Sequence, residues 1–223
     1  MKLIHGIVGV GLLLVLSQTS FSQSSDRDRE VSIHKGNVAF TLGYGAPSII
    51  RSFLKYKTTR DQINVYGFGP VIFKGEYMLS DRIGIGFNTS YSRSKITWMD
   101  TGYDTVKQIY RKFEFGIKAF ELSGTVRGNY HFWKRKRIDS YAGLGVGYGM
   151  IRMWSYTLAH TTQFSIKYDI PRPLSLECTW GFRYFATKNL GVYTEVGIGK
   201  SWILYNKYFI PEALIQAGIT LKL

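Results

Sequence analysis

"FELSGTVRGNYHF", residues 120–132, sends Phe120, Leu122, Val126, Tyr130 and Phe132 to one side of an extended chain, and Glu121, Ser123, Thr125, Arg127, Asn129 and His131 to the other. Alternation at period two is the signature of a strand, and helical spacing would mix the two sets. The apolar side carries aromatics toward its ends, and the other side carries charge. Seven further segments alternate in the same way: 37–44, 71–79, 82–91, 141–150, 174–185, 190–198 and 214–223. Together they predict eight strands.

The spacing of the segments predicts how they close. Short polar turns follow the second, fourth and sixth, at 80–82, 134–139 and 187–189. Longer connections follow the first, third and fifth, roughly 46–69, 93–112 and 152–173, and an intermediate one lies near 203–212. Short turns on one side and long loops on the other describe a transmembrane β-barrel with both termini on the short-turn side. A soluble eight-stranded barrel would bury its apolar side around a greasy cavity. Here the apolar side has Tyr77, Tyr130, Phe132, Trp133 and Tyr184 near the short turns, and Tyr44, Tyr91, Tyr148, Trp154 and Trp202 near the long ones. Two aromatic girdles flanking an aliphatic band are the pattern of a lipid-facing surface. The fold class read from the sequence is therefore all-β, an eight-stranded antiparallel transmembrane β-barrel. Pro70 and Pro173 each precede an apolar segment, where a missing ladder donor does least harm.

The chain has 223 residues, which suits one domain. Residues 1–22 read as a cleaved signal peptide: Lys2, an apolar run from Leu3 to Leu16 too short to span a bilayer, then small polar residues ending in Ser20-Phe21-Ser22 before Gln23. Residues 23–34 are expected to form a periplasmic N-terminal segment, and 35–223 the barrel. The single cysteine, Cys178, excludes an intramolecular disulfide.

Lys74, Glu76, Glu121, Arg127, Glu177, Arg183 and Glu195 all fall on the non-aromatic side of their segments. On lipid, an Arg or Lys near mid-bilayer costs on the order of 2–4 kcal/mol. These seven are therefore expected inside, as a paired, hydrogen-bonded plug in a lumen only wide enough for side chains. The same phase disposes of a false motif. Gly199-Lys200-Ser201 ends like a phosphate-binding loop, but Thr194 stands where its first glycine belongs and no helix follows.

The last eight residues, "QAGITLKL", match the outer-membrane assembly pattern at Gln216, Gly218, Leu221 and Leu223. With the leader and the girdles, the chain resembles the small eight-stranded outer-membrane barrels of the OmpA-barrel and OmpX-like kind. "FSQ" at the cleavage site and "IDSYAGLGVGYG" after a basic turn resemble the outer-membrane β-barrel family abundant in Bacteroidota. The resemblance implies insertion by the barrel assembly machinery into an outer membrane, with lipid and lipopolysaccharide as surroundings. It implies no particular activity.

No catalytic residue is predicted. Of the three histidines after the leader, His34 precedes the first strand, His131 points inward, and His160 lies in an outer loop without a His-x-Ser adjacency. They are too scattered for a metal site, and no cofactor is expected. The outer connections, taken as 46–69, 93–112, 152–173 and 200–212, carry a net charge of +9, out of the +13 that remains when Lys2 leaves with the leader of a +14 chain. Arg51, Lys55, Lys57, Arg60, Lys107, Arg111 and Lys112 are the outer-loop cations expected to meet lipopolysaccharide or an acidic partner. The stretch 47–57 reads equally as a short amphipathic helix or an irregular loop. "KRKR", 134–137, is read as a periplasmic rim feature of an exported chain, which leaves no role with nucleic acid. The function expected is structural or interactive: membrane integrity, lipopolysaccharide contact or adhesion. The alternatives are a narrow channel for small or apolar solutes, or an accessory barrel of a secretion or uptake machine with an unknown protein partner.

Overall fold

A computed structural model describes residues 32–46, 63–104, 107–159, 162–202 and 215–223. The leader, the segment 23–31 and the stretch 47–57 lie outside the described residues. Eight strands follow in order: β1 (Val38–Ala46), β2 (Asn64–Met78), β3 (Ile83–Asp104), β4 (Ile109–Lys134), β5 (Ile138–Ala159), β6 (Thr162–Phe185), β7 (Leu190–Trp202) and β8 (Ile215–Lys222). Each pairs with its chain neighbour, and β1 pairs antiparallel with β8, so the sheet is a closed eight-stranded barrel. Closure leaves no edge within the ring, where each backbone amide faces a neighbouring strand.

The alternation sets the faces as expected. Ala39 and Thr41 are buried, while Leu42 and Tyr44 are exposed. Exposure on the outer face reaches 58% at Val126, 70% at Leu144 and 66% at Ile198. A continuous apolar exterior of this kind is foreign to a water-soluble monomer. On β4 the outward row runs from Tyr130 through Val126 and Leu122 to Phe120. At about 3.4 Å per residue and a tilt near 45°, that stretch spans roughly 24 Å, the height of a lipid-facing band.

Two of the expected long connections are not loops. The segments 93–112 and 152–173 are almost wholly strand: β3 and β4 stay paired out to Asp104 and Ile109, and β5 and β6 out to Ala159 and Thr162. The sequence misleads here because the faces exchange character. Up to Ser92 the inward residues of β3 are Gly, Asn and Ser; beyond it they are Ser94, Ile96 and Trp98, while Arg93 and Lys95 point outward. Ile96 and Ala119 form an apolar cluster with Ile63, Val65, Trp98 and Met153 packed against it. Within the band the exterior is apolar and the interior polar; above it the arrangement is reversed. A period-two pattern that inverts midway reads as broken when scanned with one phase.

The prolines also sit inside strands. Pro70 lies in β2 at a register shift between Phe68 and Val71, beside Gly69 at φ +92°. A side chain at Gly69 would be strained by that backbone and would press on the Tyr91 carbonyl. Pro173 lies in β6 opposite the shift between Gly147 and Gly149. Bulges are where a strand tolerates a residue without an N–H, so the reason holds although the positions are internal.

The boundary between an N-terminal segment and the barrel also moves. Ser32 and Ile33 are buried, and Ile33 packs with Ala39 and Met78. From β1 the chain runs back across the barrel end to the β4–β5 turn, where Ser32 N–H donates to the Arg135 carbonyl at 3.0 Å and Ser32 Oγ to the Ile138 carbonyl at 2.7 Å. Because β1 and β5 are opposite in a ring of eight, residues 32–37 form a strap across the mouth. Residues 32–34 thus belong to the barrel.

Candidate functional site

The lumen holds a lattice of charges centred on Glu195 of β7. Its carboxylate accepts from Lys74 Nζ at 2.7 Å, from Arg127 Nη1 and Nη2 at 3.2 and 2.9 Å, and from the Tyr141 hydroxyl at 2.8 Å. Arg127 also donates through Nε to Asn129 Oδ1 at 2.9 Å and through Nη2 to Thr179 Oγ1 at 3.0 Å. Glu177 accepts from Thr125 Oγ1 at 2.9 Å and Asn88 Nδ2 at 3.3 Å, and lies 3.9 Å from Arg127. Toward the strap, Glu76 pairs with Arg183 at 2.5 Å, meets His131 Nε2 at 3.1 Å and accepts from Asn129 Nδ2. Asp139 faces the other His131 nitrogen at 2.7 Å and accepts from Arg183 Nη1 at 3.3 Å. The Tyr141 ring lies 4.3 Å under the Arg183 guanidinium, and the Tyr193 ring 4.9 Å under Lys74 Nζ.

Six of the seven interior charges read from the sequence, Lys74, Glu76, Arg127, Glu177, Arg183 and Glu195, meet in this lattice. Glu121 stands nearer the outer end, where it accepts from Ser92 Oγ at 3.2 Å. Asp139 and Tyr141 join the lattice without a sequence motif that marks them, and His131, inward by parity, gains two carboxylate partners there. The parity that puts Gly143, Gly145, Gly147 and Gly149 inside also puts Tyr141 and Asp139 there, one and two steps earlier in the same row. The glycines make room. An added Cβ at Gly181 would overlap the Tyr141 ring, and one at Gly43 the Tyr193 hydroxyl.

The assembly-pattern residues all lie on or just after β8. Gln216 is buried inward, Gly218 is closed in by the Leu42 carbonyl, Leu221 is half-buried on the outer face, and Leu223 follows the strand. Of the cations expected in outer loops, Arg51, Lys55, Lys57 and Arg60 lie outside the described residues. Lys107 is exposed in the β3–β4 turn. Arg111 and Lys112 are not in a loop: they belong to β4, opposite Gly102 and Thr101. The extension of these strands is the reason. His34 is exposed within the strap, and His160 lies outside the described residues.

The extended strands arrange other cations that sequence reasoning did not single out. Register places Tyr66, Lys95, Lys118, Trp154 and Lys167 side by side across β2 to β6, all on the outward face. One row nearer the band are Phe68, Arg93, Phe120 and Arg152. The outer girdle, with Tyr44 beside Phe68 and Tyr91 edge-on to Phe120, lies directly below. Asp169 bridges Arg152 at 2.7 Å and Lys167 at 3.5 Å, and the Arg152 hydrogen bond holds its carboxyl below the ordinary range. At the opposite end, the backbone N–H of Lys35 donates to Asp81 and lowers that carboxyl likewise.

No family model and no curated protein matches the chain. Among solved structures it is similar to Ail, the attachment invasion locus protein of Yersinia pestis, at 12% identity over 85% of this chain and 99% of that one, with a TM-score of 0.39. It is similar to the N-terminal β-barrel domain of Pseudomonas aeruginosa OprF at 12% identity over 86% and 100%, TM-score 0.38. The outer membrane protein OprG of the same organism gives 11% identity over 85% and 97%, TM-score 0.41. The fold rests on the closed strand order of this chain itself.

Proposed function

We propose that this barrel spans an outer membrane, termini on the periplasmic side, and serves a structural and interactive role in which its outer cations hold lipopolysaccharide. The observation that carries the reading is the inversion of the two faces at Ser92 and Arg93. A sheet that is apolar outside and polar inside, then polar outside and apolar inside, has been built for two solvents. The boundary between them falls at the outer aromatic girdle.

The cation row lies four residues beyond Tyr91, roughly 10 Å above the girdle at the strand tilt of such barrels. That is the level of phosphorylated sugar headgroups. Lys95 and Lys118 are directly opposed across β3 and β4, so two cationic side chains share one stretch of the outward face. Two neighbouring cations at that level suit a phosphate group. The filled lumen supports a role at the surface over one of transport.

A second reading, a narrow path for apolar solutes, is favoured by Ile72, Ile96, Ala119 and Ile151, which line the upper lumen and are buried. The charged lattice beneath them argues against passage.

The test is lipopolysaccharide retention by the refolded protein with Lys95, Lys118 and Lys167 all changed to Gln. Each cation near an anionic surface contributes about 1 kcal/mol, so at least a ten-fold loss is expected, with wild-type retention itself weakening as salt rises. Equal retention at low salt would remove lipopolysaccharide contact through this row.

A further inference from the structure

At the strap end of the lumen His131 is fully buried, and each of its ring nitrogens faces a carboxylate. Nδ1 meets Asp139 Oδ1 of β5 at 2.7 Å, and Nε2 meets Glu76 Oε1 of β2 at 3.1 Å. The second oxygen of each acid belongs to Arg183 of β6: Nη1 lies 3.3 Å from Asp139 Oδ2, and Nη2 lies 2.5 Å from Glu76 Oε2. Imidazole and guanidinium therefore share the same two acids, one oxygen of each apiece. Around them, Asn129 Nδ2 of β4 donates to Glu76, and the Tyr141 ring of β5 lies 5.5 Å from the imidazole. Lys134 Nζ of β4 donates to the Ile33 carbonyl of the strap, whose own titratable groups, His34 and Lys35, are exposed.

Both the local geometry and the charge of the lattice call for an imidazole with two protons. A neutral imidazole donates from one nitrogen only, so whichever proton left, a lone pair would face a carboxylate oxygen at hydrogen-bond distance. The buried carboxylates are Glu76, Asp139, Glu177 and Glu195, and the buried Lys and Arg side chains are Lys74, Arg127 and Arg183. One carboxylate is in excess, and a buried charge without a countercharge is costly. A protonated His131 restores the balance where two acids converge. The strap is lashed to the same two strands. Gly36 N–H donates to the Met78 carbonyl at 2.9 Å and Met78 N–H to the Asn37 carbonyl at 3.0 Å, two residues beyond Glu76 on β2. Ser32 Oγ donates at 2.7 Å to the carbonyl of Ile138, the residue before Asp139 on β5. In the ring β2 and β5 are three strands apart, so no backbone ladder joins them, and His131 and Arg183 tie them through side chains.

We infer that His131 is a proton-operated latch for the strap. With both ring protons it draws Glu76 and Asp139 together and keeps β2 and β5 at the separation the strap spans. Loss of one proton sets a lone pair against one of the two acids. The acids then spread, and the strap loses the fixed distance between its two anchors. The strap is therefore held while His131 is charged and released as pH rises through its titration, the sign that follows when a proton completes the native contacts. The latch uses neither the outer cation row nor any lipid, so it stands apart from the lipopolysaccharide reading and holds for either orientation in the membrane.

Hydrogen–deuterium exchange of the refolded chain in lipid, followed between about pH 5.5 and about pH 9.5 alongside NMR of the histidine ring nitrogens, tests the latch. The His131 signals are those missing from the spectrum of His131→Gln. Corrected for the intrinsic pH dependence of exchange, the amides of Ser32 and Gly36 are expected to lose protection by about ten-fold or more as His131 passes from imidazolium to neutral imidazole. H131Q, with the heat-modifiable gel migration of a folded barrel, is expected to protect them weakly at every pH. H131Q/D139N, which also removes the surplus carboxylate, is expected to recover most of the protection. A bare ring nitrogen on His131 at the acid end of the range overturns the inference, as does protection that ignores the titration. An imidazole that keeps both protons throughout, with constant protection, overturns it too, because the cluster would then be a fixed one. So does full protection in H131Q, or no recovery in H131Q/D139N. If H131Q does not refold, the wild-type titration, with its histidines distinguished by His34→Gln and His160→Gln, decides by itself.

Discussion

Glu195 receives four donor contacts on two oxygens, and its place in the lattice decides what a single change does. Replacing it by Gln leaves Lys74 and Arg127 buried beside each other with Glu177, 3.9 Å from Arg127, as the remaining nearby countercharge. Breaking one partner of such a pair costs about 3–5 kcal/mol. Removing Arg127 as well relieves part of that penalty, so Glu195→Gln with Arg127→Gln is expected to cost less than the two single changes added together. Urea unfolding of the refolded barrel in lipid measures all three variants, and strict additivity would mean that the two residues do not act as a pair. The buried tyrosines matter for the same reason. Tyr141 donates to Glu195 and lies flat under Arg183, a dual use that needs the glycine at 181 opposite it.

Among the elements, the strap and the long hairpins were the least visible in the sequence. Residues 32–37 show no periodicity, yet Ile33 is fully buried and Ser32 ties the start of the described chain to the turn on the far side. Nothing local signals this, because Met78 comes from the next strand and Arg135 and Ile138 from the far side of the ring, and only the folded sheet brings them to the strap. Ile33→Ala is expected to lower stability by about 2–5 kcal/mol, as for other fully buried isoleucines. The temperature at which the folded band disappears from a cold-loaded gel reads this out. An unchanged transition would show that the strap packs without contributing. The hairpins β3–β4 and β5–β6 were half visible. Their lower parts follow one phase of alternation; the upper parts follow the opposite phase, and "RSKITWMDTGYD" therefore looked like a loop.

For the whole molecule, the strap closes one end of the lumen and the lattice fills its middle. Lys74, Arg127 and Arg183 are interleaved with Glu76, Asp139, Glu177 and Glu195, and all seven are buried. An eight-stranded ring leaves no bore beside such contents. In planar bilayers the wild-type barrel is expected to show no steady open-pore conductance. Persistent channels of uniform size would favour the solute-path reading over the surface role.

The sequence by itself determined the eight strands, their antiparallel order, the polar inner face and the aromatic girdles. Each of these is a consequence of period-two alternation and of the energy of placing charge on lipid, both of which act residue by residue. Only the tertiary structure decided which inward charges meet, how far the strands run beyond the band, and which cations share a row. Those outcomes depend on register between strands and on the height of each residue relative to the change of solvent. A one-dimensional pattern holds the parity of a side chain but not its neighbour across the sheet.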